Sequence, residues 1–221
     1  DMEEVMKRKI AVFDMDETLI SSDFTWALCG GRFLDRNGIS YDQTLNSVFE
    51  NEGVSAMITL LQNEYDIALS RVELFEALTE ETLDDYRYRV TLKENASDVV
   101  RAFRDAGYFT CVLSANSPLV LEIVRERFLS ELPMDAWFST RNFPWSKGDA
   151  KVYDLISAFF GLQPQDCVLL DDAEYAIETA DKINIPYIRM LNSRNYNREQ
   201  FGKDGYLSFR DAMPRIEEII G

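Results

Sequence analysis

Apolar positions along the chain follow two different spacings. The first stretch, Lys9-Ile10-Ala11-Val12-Phe13, is a short run of strand formers that stops abruptly at Asp14-Met15-Asp16-Glu17-Thr18. A run bounded in this way predicts a buried strand of an α/β sheet, with Asp14 and Asp16 just beyond its carboxyl end. Residues 21–90 then read differently. Ser21-Ser22-Asp23 and Cys29-Gly30-Gly31 predict a turn-rich exit from the strand. Helical spacing follows over Tyr41–Glu50, Val54–Glu64 and Arg71–Leu83, where Val72, Phe75, Leu78 and Thr79 share a face. No strand is expected in this segment.

From Thr91 onward strands alternate with helices. Helices are expected over Asn95–Ala106, from Pro118 to about Leu129, and over Asp149–Phe160, Glu174–Lys182 and Ser208–Ile220, the last bent by Pro214. Strands are expected over Tyr108–Leu113, Asp135–Ser139, Asp166–Leu170 and Ile185–Met190, with a polar loop from Asn192 to Gly205. The pattern implies an α/β, Rossmann-like, three-layer core with a parallel five-stranded sheet and right-handed crossovers. The expected division is a core of residues 1–20 and 91–221, and an all-helical insertion of residues 21–90 after strand one.

Charge and composition then exclude whole classes. Among 221 residues the net charge is −16, which phosphate backbones repel, so nucleic acid is not an expected partner. The insertion holds thirteen acids and five arginines, a net −8. No apolar run approaches a membrane span. Residues 1–4 lack the layout of a secretory leader. Cys29, Cys111 and Cys167 lack metal-ligand or redox spacing, which fits a reducing cytoplasm. The chain contains no histidine, which removes Ser-His and Cys-His hydrolases and histidine-ligated metals. Acid–base chemistry is left to carboxylates, lysine, tyrosine or metal-bound water.

Four polar sites stand at or beyond strand ends: Asp14/Asp16, Ser114/Asn116, Lys147 and Asp171/Asp172. Each has an ordinary reading. A DxD arises by chance, Asp171-Asp172 can cap the next helix, and Ser114 can be a helix-entry residue. Asn116 suits a turn, and Lys147 can be a solvated charge, with Lys151 one helical turn away. Taken together and in this order, they resemble the haloacid dehalogenase-like hydrolase superfamily in its phosphatase form. The resemblance rests on Asp14-x-Asp16-x-Thr18, Ser114, Lys147-Gly148-Asp149-Ala150-Lys151-Val152-Tyr153 and Leu169-Leu170-Asp171-Asp172-Ala173, and the helical insertion matches that superfamily's cap. The two prolines usual after the lysine are absent.

The resemblance implies a Mg²⁺-dependent phosphatase that cleaves a small phosphorylated metabolite through an aspartyl-phosphate. Asp14 is then the nucleophile and Asp16 the proton shuttle, with Lys147 offsetting negative charge. Ser114 and Asn116 would bind phosphate, and Thr18 would hold Asp16 or contact phosphate. Mg²⁺ would be held by Asp14, the Asp16 carbonyl, Asp172 and Asp171. Glu17, where the family often has glycine, receives no role. Trp26, Phe24, Phe33, Tyr41 and Trp145 either line a substrate pocket or simply pack, and Arg32, Arg36, Arg87 and Arg89 are candidate substrate contacts. A sugar phosphomutase keeps the same residues, although Thr18 favours a phosphatase. A dehalogenase would not need Asp171-Asp172, and a receiver-type signalling domain would lack the insertion. A non-catalytic module retaining the fold would not need both Asp14 and Asp16.

Overall fold

The computed structural model describes residues 8–192 and 204–221. Its chain order is β1 (Ile10–Phe13), β2 (Ile20–Ser21), α1 (Asp23–Arg36), α2 (Thr44–Glu52), α3 (Val54–Glu64), α4 (Arg71–Tyr88) and β3 (Thr91–Leu92). It continues with α5 (Ala96–Asp105), β4 (Phe109–Ser114), α6 (Pro118–Arg127), β5 (Ala136–Ser139), α7 (Ala150–Phe159), β6 (Cys167–Asp171), α8 (Glu174–Lys182), β7 (Tyr187–Met190), β8 (Gly205–Tyr206) and α9 (Phe209–Ile220).

The main sheet runs β5-β4-β1-β6-β7-β8, with every neighbouring pair parallel. It therefore has six strands, one more than expected. The extra strand, Gly205–Tyr206, is two residues long and pairs with Arg189–Met190, too short to show a periodicity. It also ends the region expected to be a loop, most of which (193–203) lies outside the described residues. Side chains alternate across β1. Ala11 and Phe13 pack with α5, α6 and α9, while Ile10 and Val12 pack with α7 and α8. This alternation buries both faces and makes the three layers. Pro214 sits inside α9, whose apolar residues Phe209, Ala212 and Ile216 are buried against the sheet.

The segment expected to be free of strands, residues 21–90, opens on the last residue of one short strand and is followed at once by another. Ile20–Ser21 pairs antiparallel with Thr91–Leu92, so the chain leaves and re-enters the sheet layer through a two-stranded ladder. Between them, α1–α4 enclose an apolar cluster of their own, including Trp26, Leu34, Leu45, Phe49, Met57 and Leu78. Gly30 and Gly31 do not form a turn but lie within α1. A β-carbon on Gly30 would stand 2.7 Å from Met57 Sδ and 3.0 Å from Leu45 Cδ2, so the glycine allows three helices to approach. On α4, Val72 is exposed rather than inward, and Leu74 is buried in its place. Ser70 and Glu73 form a capping box that starts this helix.

Candidate active site

The sheet register brings the acids together. Phe13 is level with Leu170, and the Asp14 amide donates to the Leu170 carbonyl at 2.8 Å. Asp14 and Asp171 thus leave adjacent parallel strands side by side. Ser114 ends the neighbouring strand on the other flank of β1. Carboxyl ends of adjacent strands in an open α/β sheet are where such folds bind ligands.

Lys147 enters from the loop between β5 and α7. Its ammonium lies 2.7 Å from Asp14 Oδ1 and 2.8 Å from Asp171 Oδ2, and all three side chains are buried. Burial alone would lower the lysine pKa, but Asp14 and Asp171 outweigh it and hold the ammonium well above its ordinary value. Asp171 is pushed upward, first by burial and then by the neighbouring Asp14, against the pull of Lys147. One ammonium faces two buried carboxylates, so negative charge is left over. Lys151, the rival lysine, is exposed, with its ammonium 5.8 Å from the centre of the Trp145 ring.

Carboxylate oxygens of Asp14, Asp171 and Asp172 lie within 4.8 Å of one another, and Asp14 Oδ2 is buried without a hydrogen-bond partner among the described residues. An all-oxygen donor set, surplus negative charge and an unpartnered buried oxygen fit a hard divalent cation such as Mg²⁺. Asp172 also accepts a hydrogen bond from the Asn192 side chain, and the Ala173 amide donates to Asp171 Oδ1 at 2.8 Å.

Asp16 is held by different partners. Its Oδ1 accepts from Ser22 Oγ at 2.7 Å and from the Tyr86 hydroxyl, and its Oδ2 accepts from Asn116 Nδ2 at 3.1 Å. Burial raises the Asp16 pKa; the Tyr86 hydrogen bond works against this and the nearby Asp14 charge adds to it. Trp26 Nε1 donates to Tyr86 Oη at 2.8 Å. Neither Ser22 nor Tyr86 carries a sequence signal. They sit 6 and 70 residues from Asp16, and only folding of the helical insertion brings them there.

The other expectations divide. Asn116 lines the site, but its amide is committed to Asp16, Tyr86 and the Ser117 amide, so it anchors the acid as well as shaping the turn. Ser114 is buried in the cavity wall, and its Oγ accepts from the Asn116 amide at 3.1 Å. Thr18 is buried away from the cavity, and its hydroxyl has no partner among the described residues, so it does not hold Asp16. Glu17, assigned no role from sequence, joins two segments. Oε1 accepts from the Ser22 amide (2.7 Å) and the Asp23 amide (3.0 Å), and Oε2 lies 2.6 Å from Lys93 Nζ. It does so at φ 61°, a conformation that favours glycine.

Asp14, Asp16, Ser114, Lys147 and Asp172 share a cavity of about 430 Å³ with Trp26, Phe49 and Phe75 of the helical insertion. Of the aromatic residues expected to line a pocket, Trp26 alone does so. Phe33 packs inside the insertion, Tyr41 bonds Asp35, Trp145 lies beneath Lys151, and Phe24 is exposed. The four arginines are also spent elsewhere. Arg32 and Arg89 pair with Asp85, Arg36 with Glu81, and Arg87 with Asp84.

A three-layer parallel α/β core, with four acids and a buried lysine at one edge of its strands, defines a class of carboxylate-centred hydrolase. The chain belongs to the haloacid dehalogenase-like hydrolase family, whose model matches residues 11–143, more than half its length. No curated protein matches the sequence. Solved structures share the whole architecture at low identity. A predicted phosphoglycolate phosphatase from Haemophilus somnus 129pt is 17% identical at a TM-score of 0.76, over 96% of this chain and 99% of that one. CbbY from Rhodobacter sphaeroides, in complex with phosphate, is 17% identical at 0.75, over 93% and 96%. A candidate beta-phosphoglucomutase from Thermotoga maritima is 14% identical at 0.74, over 96% and 99%.

Proposed function

We propose that this hydrolase is a Mg²⁺-dependent phosphatase acting on a small phosphomonoester, with residues 21–90 as a cap over a core of 1–20 and 91–221. The observation that carries the reading is Lys147 bound to Asp14 Oδ1 while Asp14 Oδ2 is buried without a partner. An unpartnered carboxylate oxygen is costly unless it binds a cation or reacts.

Asp14 attacks phosphorus in line, the bond to the ester oxygen breaks, and an aspartyl-phosphate forms. Asp16 gives a proton to the departing alkoxide. A water molecule then loses its proton to Asp16, attacks the phosphoryl group and frees Asp14, leaving Asp16 protonated as at the start. Lys147 offsets the repulsion between Asp14 and the incoming phosphate. Ser114 stands in the cavity wall, placed to meet a phosphate oxygen. Mg²⁺, held by Asp14, Asp172 and Asp171 with the Asp16 carbonyl, would neutralise charge on the phosphoryl group.

CbbY from Rhodobacter sphaeroides has also been solved with xylulose-(1,5)bisphosphate, which supports a small phosphorylated metabolite as substrate. No helix among the described residues is long and apolar enough to cross a membrane. The three cysteines are buried and free, which fits a reducing cytoplasm.

The test is release of phosphate from p-nitrophenyl phosphate. It should require Mg²⁺, stop with EDTA and be abolished in Asp14→Asn. Activity persisting in that variant would refute the assignment. Appearance of an isomeric sugar phosphate in place of free phosphate would indicate a phosphomutase.

A further inference from the structure

We infer that Tyr86 is a positioning residue for this reaction, fixing the carboxyl of Asp16 through a hydrogen bond that Trp26 and Asn116 make one-directional. The inference rests on the phosphatase reading above. Tyr86 lies near the end of α4, yet its ring packs in the apolar cluster under the main sheet with Phe13 and Met15. It is fully buried, and Arg127 of α6 donates to its carbonyl at 2.9 Å.

Four polar side chains surround its hydroxyl: Trp26, Asn116, Asp16 and Ser22, the last of which gives its own hydrogen to Asp16 Oδ1. Trp26 Nε1, at 2.8 Å, can only donate. Asn116 Nδ2, at 2.9 Å, also donates. The orientation of that amide is set by its oxygen, which accepts from the Ser117 amide at 2.8 Å. Both of these groups point hydrogens at Tyr86 Oη, so its own hydrogen is turned toward the side where Asp16 and Ser22 stand, and it is donated to Asp16 Oδ1. With Ser22 on the same oxygen and Asn116 on the other, the carboxyl plane of Asp16 has no freedom to turn.

This constraint matters to proton transfer rather than to substrate binding. A shuttle that gives a proton to one oxygen and takes it from another must face the same point twice. Without the phenol oxygen, Asp16 loses one of its donors, and Trp26 Nε1 loses its acceptor. The effect should then scale with how badly the departing oxygen needs a proton.

The experiment compares Tyr86→Phe with the wild type on p-nitrophenyl phosphate and phenyl phosphate. The two are similar in shape, but phenolate is the much poorer leaving group. kcat/KM is the quantity to read, because it covers only the steps up to departure of the alcohol. The expected loss is about 10–100-fold on phenyl phosphate, a part of the roughly 10²–10⁴-fold that a general acid supplies, and less than about 3-fold on p-nitrophenyl phosphate. Trp26→Phe, which removes the donor behind Tyr86, should show the same ordering with smaller losses. It decides the matter if Tyr86→Phe does not fold, as judged by thermal melting. Equal losses on both esters would overturn the positioning role while leaving the phosphatase reading intact. A wild type inert on both esters with Mg²⁺ would remove that reading, and this inference with it.

Discussion

The ammonium of Lys147 lies 2.7 Å from Oδ1 of Asp14, and neither side chain is more than 6% exposed. Only a positive group there makes the neighbouring buried acids tolerable. Lys147→Met should therefore lower both activity and stability. We expect phosphate release to fall by about 10³-fold or more, on the scale of losing a preorganised electrostatic group. Thermal melting should show a lower Tm, which added Mg²⁺ partly restores.

Asp85 provides the pH test. Its buried carboxylate pairs with Arg32 at 2.5 Å and Arg89 at 2.8 Å inside the helical insertion. Burial raises its pKa, but the hydrogen bond from Thr25 and the two guanidinium groups win, and the net shift is downward. A depressed folded-state pKa means stability present above the ordinary aspartate value and lost as pH falls through the folded value. Asp85→Asn should cost about 2–3 kcal/mol near neutrality. The gap from wild type should close below about pH 4, near the unfolded aspartate pKa. Urea unfolding at several pH values checks this, and a gap that widens in acid would contradict it.

Glu17 tests two opposed effects. Its φ of 61° favours glycine, and relieving that strain is worth roughly 1 kcal/mol. Its carboxylate, however, accepts from two amides and binds Lys93. Each charge-assisted bond is worth about 1.5–3 kcal/mol at most, less where Lys93 meets solvent. The bonds should win, so Glu17→Gly is expected to lower Tm despite restoring the residue that the backbone prefers. A higher Tm would show that the backbone strain dominates.

Gly30 and Gly31 should part company. A methyl at Gly30 meets Met57 and Leu45, both buried in the apolar cluster of the helical insertion, whereas at Gly31 it meets the ring of the partly exposed Tyr41, 2.6 Å from its hydroxyl. Alanine gains up to about 1 kcal/mol of helix propensity at either position. Overpacking costs about 1–3 kcal/mol where neighbours cannot move. Gly30→Ala should be destabilising and Gly31→Ala neutral or stabilising, as read by denaturant midpoints.

The core of the site was legible because its residues follow strands directly. Asp14, Ser114 and Asp171 are placed by strand register, and an apolar run that stops at an acid announces such a position. Lys147 was legible by its order in the chain and distinguishable from Lys151 only by burial. Of the side chains that hold Asp16, Asn116 stands out in the sequence, whereas Ser22 and Tyr86 do not. Tyr86 and Trp26 lie on helices whose inward faces carry ordinary apolar patterns, and Tyr86 meets Asp16, and Trp26 meets Tyr86, only through tertiary packing. Helix α1 was hidden for a related reason. Its paired glycines look like a turn locally, but Gly30 lies in close contact with Leu45 and Met57, and Gly31 faces the ring of Tyr41. Strand β8 was hidden by its length alone.

The ladder between Ile20–Ser21 and Thr91–Leu92 gives the helical insertion ends that are already joined. Ser21 faces Thr91 as a paired neighbour, so a short turn in place of residues 22–90 would close the chain without disturbing any strand of the main sheet. Such a miniature would keep Asp14, Lys147 and Asp171 in register. It would also lack Ser22 and Tyr86, two of the three side chains that hold Asp16. Asp14 belongs to the sheet, while the grip on Asp16 is shared with the insertion. A helical insertion transplanted from another member of the fold would thus exchange not only the walls of the cavity but the grip on its acid.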